Sequence, residues 1–176
     1  RKYKMSQQWF LDQARLGNMY HSNNTTAGAV TVLSATCTGL ALSNPLGSGK
    51  NLVVSNMSFV GSTLSTIAEV GVAVSSSVAN AVQTGTAAVV HNAKLAGSNS
   101  NLGKGRTFSI ATLLSTPVWL RPIGSARVTG TTEGTNAFTA SFDGTIIVTP
   151  GTYIAFSTLT AARTGLCSIS WAEVDE

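Results

Sequence analysis

The chain has 176 residues, 43% of them hydrophobic but only 10% charged, with a formal net charge of +4 and two cysteines. That length suits one domain with a sizeable core. A charged fraction so far below the roughly 25% of ordinary soluble domains excludes a densely charged surface and leaves Ser, Thr, Asn, Gly and Ala to meet solvent. Two cysteines are too few for a disulfide scaffold, and no run approaches the ~18 apolar residues of a membrane-spanning helix.

Residues 4–18 read as the one helical segment. Ser6 can cap its start, Gln, Leu, Ala and Arg favour helix, and Gly17-Asn18 can end it. A helix this short is marginal alone, so Trp9 and Phe10 need a surface. They either cover the open end of the chain's own sandwich or reach another subunit. Arg1, Lys2, Lys4 and Arg15, against Asp12, make this end basic, without the apolar stretch of a secretion signal. Glu173, Asp175 and Glu176 make the other end acidic, so arm and tail are expected to meet neighbouring copies or an acidic partner surface. Residues 19–26 read as a polar, extended linker. The expected division is an arm over 1–24 and a β domain over 25–176.

Residues 25–33 and 40–43 read as short strands, and 44–49 as a loop. Residues 51–60 read as a long strand with Val53, Met57 and Phe59 on one face. Val70, Val72 and Val74 alternate with Gly71 and Ala73. Residues 86–95 read as a further strand, 97–105 as a Ser/Asn/Gly loop, and Phe108 with Ile110 mark another strand. Pro117 and Pro122 bracket residues 118–121, which suggests a sheet edge. Residues 124–136 read as a polar loop. From Phe138 onward the alternation is clearest. Phe138, Ala140 and Phe142 share a face, Asp143-Gly144 suits a tight turn, Ile154 and Phe156 alternate with Tyr153, Ala155 and Ser157, and Cys167, Ile169 and Trp171 alternate with Ser168 and Ser170. Phe142, Phe156, Ile169 and Trp171 are therefore expected in the core. About nine to eleven short strands with frequent turns predict an all-β fold, an antiparallel β-sandwich or jelly roll with a short N-terminal helical or extended arm.

No catalytic constellation stands out. Gly47-Ser48-Gly49-Lys50 resembles the end of a phosphate-binding loop, but Asn44 and Asn51 occupy the positions that need Gly and Ser or Thr, and a strand follows; it reads as a β-turn. His21 and His91 are the only histidines, without nucleophile-elbow or metal-ligand spacing around them. His91 reads as a strand-surface or interface residue. Glu69, Glu133, Asp143 and Glu173 could supply paired carboxylates, but nothing places two together. The remaining basic residues (Lys50, Lys94, Lys104, Arg106, Arg121, Arg127 and Arg163) are scattered, so nucleic acid is not an expected partner. Cys167 reads as a small core residue, and a Cys37–Cys167 bridge stays open if the first and last strands are neighbours. Trp119 is either a packed edge residue or a sugar-stacking platform. No cofactor, metal or small-molecule substrate is expected.

Taken together, the segment QQWFLDQAR, Asn44-Pro45 with Gly47-Ser48-Gly49 before a long strand, Trp119-Leu120-Arg121-Pro122, and Pro150-Gly151-Thr152-Tyr153 with Ser170-Trp171-Ala172-Glu173 resemble the small jelly-roll decoration (cement) proteins of tailed-bacteriophage heads. The resemblance covers nearly the whole chain. It implies a non-enzymatic homotrimer on the outer surface of an icosahedral capsid, held on the major capsid protein. Trp9, Phe10, Arg15, Leu16 and Tyr20 are then the expected interface residues, and deletion of residues 1–20 is expected to leave the trimer folded but unable to bind capsids. The alternative is a receptor- or glycan-binding head of a phage fibre, with Trp119 and the loops 97–105 and 124–136 forming its site.

Overall fold

The computed structural model of the chain describes residues 3–62, 65–79, 81–94, 103–128 and 137–176. They form one helix, α1 (Tyr3–Leu16), and thirteen strands: β1 (Met19–Asn23), β2 (Gly28–Val30), β3 (Thr36–Ser43), β4 (Lys50–Gly61), β5 (Ser65–Val74), β6 (Val82–Ala87), β7 (Val89–Asn92), β8 (Arg106–Leu113), β9 (Val118–Val128), β10 (Ala137–Ser141), β11 (Ile147–Val148), β12 (Tyr153–Thr158) and β13 (Arg163–Asp175). Two antiparallel sheets face each other. One runs β10-β4-β13-β1-β7, with β11 on β4 and β2 on β13, and the other runs β6-β8-β3-β12-β5-β9. The molecule is an all-β sandwich of jelly-roll-like form with a short N-terminal helix.

The main core lies between the sheets and includes Leu40, Leu42, Leu52, Val54, Met57, Phe59, Val72 and Ile154. Phe142, Phe156, Ile169 and Trp171 belong to it, each at most 2% exposed. The turn between β10 and β11 has positive φ at both Asp143 (49°) and Gly144 (83°), as a tight turn of this type needs, and it closes with Thr145 N–H donating to the Phe142 carbonyl at 2.9 Å. β12 is buried along its whole length. Its second face, with Tyr153 and Ala155, packs on Cys37, Ala41, Ala81, Ala111 and Leu113 in a smaller cluster. Cys37 and Cys167 are both buried and free, so the bridge left open by the sequence does not form.

Several elements differ from expectation. Residues 19–23 are a strand, not a linker: β1 lies between β13 and β7, hydrogen-bonded to both. The polar residues of this stretch misled because Ser22 is buried and satisfied by Thr107 Oγ1 and the Val89 carbonyl, each at 2.7 Å. A boundary at 24/25 would thus cut a strand from its sheet. Val53 does not share a face with Met57 and Phe59. The pairing steps from Ser170↔Asn56 to Trp171↔Val54, so Ser55 is a bulge that inverts the side-chain phase of β4. The Ser55 carbonyl instead accepts from Phe142 N–H at 2.8 Å. The strand expected over 86–95 is two: β6 belongs to one sheet and β7 to the other, and the chain crosses between them at Ala88, whose N–H donates to the Thr107 carbonyl at 2.8 Å. β9 extends to Val128, into the stretch read as a polar loop, and holds the predicted edge position. Residues 95–102 and 129–136, with Glu133 among them, lie outside the described residues.

Candidate functional site

α1 sits on the outer face of the seven-stranded sheet. Phe10 is its anchor, 7% exposed and packed with Val53 of β4 and Ala172 of β13, with Met19 and Val174 alongside. The bulge at Ser55 is what turns Val53 outward to meet it. Gly17 ends the helix at φ +84°, and Asn18 N–H donates to the Gln13 carbonyl at 2.9 Å. Trp9 meets Phe10 edge-on, ring centroids 4.8 Å apart, but stays 37% exposed; Leu11 and Leu16 are 46% and 69% exposed. Trp9 and Leu16 are seven positions apart and so share a helix flank. Arg15 lies in the open, 3.4 Å from Asp12.

The five residues expected at an interface thus separate. Trp9, Arg15 and Leu16 remain available to a partner, whereas Phe10 is buried on this chain's own sheet and Tyr20 faces inward, 5% exposed and stacked 5.9 Å from Trp171. Deletion of residues 1–20 would remove a core side chain and part of a sheet strand, so that truncation cannot leave the domain intact.

Beside α1 the same sheet presents a neutral polar face. The cross-strand registers align His91, His21, Ser170, Asn56 and Ser141 in one row, and Val89, Asn23, Ser168, Ser58 and Thr139 in the next. Ser58 and Thr139 share a hydrogen bond of 2.9 Å, and His21 Nδ1 lies 2.7 Å from Ser170 Oγ. His21 is exposed at its rim, yet the protein packed against its ring, and then His91 opposite, lower its pKa from the ordinary histidine value. No ionised carboxylate or lysine stands in either row. Such a surface can be covered without desolvating charges, the costly part of burying polar area.

The acidic end is not a free tail. Glu173 is buried, accepting from Lys104 N–H and Gly105 N–H at 2.8 Å each and from Trp171 Nε1–H at 3.2 Å. It ties the segment entering β8 to the core, and a Cβ on Gly103 would sit 2.6 Å from its Oε1. Asp175 accepts from Lys50 Nζ at 2.6 Å, which places Lys50 at a turn–strand junction and not in a phosphate loop. Arg163, one of the scattered basic residues, is 1% exposed.

Trp119 is partly buried, its ring over Gly71, where a Cβ would come within 2.5 Å of Cη2. The neighbouring Arg121 guanidinium lies 5.5 Å from the Phe142 ring centroid. A cavity of about 380 Å³ opens between β1, β2, β3 and β8, with Asn24, Thr38, Gly39, Ser109 and Ile110 in its wall. The wall offers hydroxyls and amides but no acid, base or thiol. Among the described residues, no three His, Cys, Asp or Glu side chains come together as metal ligands, and no helix is long and apolar enough to cross a membrane.

The described residues thus define a fold class, a jelly-roll-like all-β sandwich with a short helix on one sheet face. Compared with protein-family models, characterised proteins and solved structures, the chain matches none.

Proposed function

We propose that this chain is a structural virion protein that decorates and stabilises an icosahedral phage capsid, binding the major capsid protein from outside as a homotrimer. The resemblance of its sequence motifs to cement proteins supplies the trimer and the partner. The observation that carries the reading is α1, anchored by Phe10 yet leaving Trp9 and Leu16 exposed beside an uncharged sheet face. Burial of those two side chains on a partner would contribute about 1.5–3 kcal/mol each, and symmetric repetition multiplies weak contacts.

The test combines sedimentation of the purified protein with its addition to phage heads that lack it. Trimers bound in hundreds of copies, raising the temperature at which heads release DNA, are the expected result. Trp9→Ser with Leu16→Ser should leave the fold intact and lower occupancy at least tenfold. Unchanged occupancy removes α1 from the mechanism. Failure of the unaltered protein to bind heads, with selective binding on a glycan array, would transfer the reading to a fibre head.

A further inference from the structure

We propose that His21 and His91, directly opposite one another on the antiparallel strands β1 and β7, form a binding site for a divalent transition-metal cation of the Zn²⁺ or Cu²⁺ kind. The register pairs His21 with His91, and both project from the outer face because their neighbours Tyr20, Ser22, Val90 and Asn92 are buried on the other side. Directly opposed residues of an antiparallel pair have Cβ atoms ~4.5–5.5 Å apart, a span from which two imidazoles can reach one ion.

Ser170, the register partner of His21 on β13, lies on the far side of β1 from His91. Its hydroxyl engages His21 Nδ1 at 2.7 Å. In the tautomer whose Nδ1–H donates to this hydroxyl, Nε2 carries the lone pair a metal needs, as in metal-binding histidines whose other nitrogen makes an outer hydrogen bond. No hydrogen bond among the described residues engages Nε2 of His21 or either nitrogen of His91.

With no carboxylate in the two facing rows, the donors are imidazoles alone. This selects borderline metals over Mg²⁺ or Ca²⁺, which prefer oxygen. Two protein ligands leave positions for water or for a donor from another molecule. The site lies on the polar sheet face beside α1, but its test does not depend on the capsid reading.

The experiment uses tag-free, chelator-stripped protein titrated with Cu²⁺ and, separately, Zn²⁺ by calorimetry, with electron paramagnetic resonance of the Cu²⁺ form. One equivalent should bind, with nitrogen splitting from two imidazoles, and Zn²⁺ should raise the melting temperature. His91→Ala and His21→Ala should each weaken binding at least tenfold, and Ser170→Ala by less. Circular dichroism of the metal-free variants should match the unaltered protein, since His21 is exposed and His91 half-buried on the outer face. Unchanged affinity in His91→Ala, a one-imidazole spectrum, or no saturable binding of either metal would overturn the assignment.

Discussion

Replacing Phe10 by Ala should release α1 from the sheet without unfolding the sandwich. The ring is 7% exposed and packed on Val53 and Ala172, a burial contributing ~1.5–3 kcal/mol. Its edge-on partner Trp9 lies on the same helix, so that contact adds nothing to docking, and the docked helix should lose about 1.5–3 kcal/mol. At ~1.4 kcal/mol per factor of ten, amide protection in α1 should fall about 10- to 140-fold by hydrogen-exchange mass spectrometry. β1 should keep its protection, because it is held through its own pairings from Met19↔Ala172 to Asn23↔Ser168 and by β7 on its other side. The change in the global denaturation midpoint should be the smaller effect, since local undocking caps it. If α1 amides exchange as in the unaltered protein, Phe10 is not the anchor. If β1 opens together with α1, helix and strand are one cooperative unit and Phe10 does not anchor the helix independently.

Glu173→Ala would strand three donors, Lys104 N–H, Gly105 N–H and Trp171 Nε1–H, at ~1–3 kcal/mol each if they stay buried. Urea denaturation should show a loss of about 3 kcal/mol or more, with Glu173→Gln milder, and a loss below about 1 kcal/mol would mean that water replaces the carboxylate freely. Burial pushes the Cys37 thiol up to about 12 and raises Cys167 further, with Cys37 adding a smaller contribution. Neither should react with Ellman's reagent at pH 8 until the protein unfolds, and rapid native labelling would contradict their placement. Because the His21 pKa is lower folded than unfolded, the unfolded chain binds the extra proton first as pH falls. Stability should therefore decline on acidification from the unfolded value near ~6.5 and level off once the folded ring is also charged. His21→Asn should flatten that segment of the stability–pH curve, and an unchanged slope would place its origin elsewhere.

The alternation of Cys167, Ile169 and Trp171 was legible because β13 lies in the sheet interior with one face on the core, and nothing interrupts its period. β4 was legible as a strand but not in phase, since the bulge at Ser55 answers to Phe142, nearly ninety positions away in the chain. β1 escaped detection because buried Ser22, and buried Asn24 just after the strand, look like linker residues until Thr107 and Gly165 supply their partners. The same held for the surfaces. The helix and its aromatics could be read, but which of Trp9 and Phe10 turns inward depends on the position of Val53. The pairing of His21 with His91 was hidden because β7 reaches β1 only after the chain has left the other sheet at Ala88.

β1 and β13, far apart in the sequence, are neighbours in one sheet. A nascent chain that has not yet delivered residues 163–175 through the ribosomal exit therefore holds β1 and β4 without the strand that joins them. Such late, long-range closure slows folding and leaves sticky edges exposed meanwhile. Folding competence should thus arrive abruptly once residues 163–175 have emerged, so that fragments ending short of Arg163 accumulate as aggregates and not as partial sandwiches.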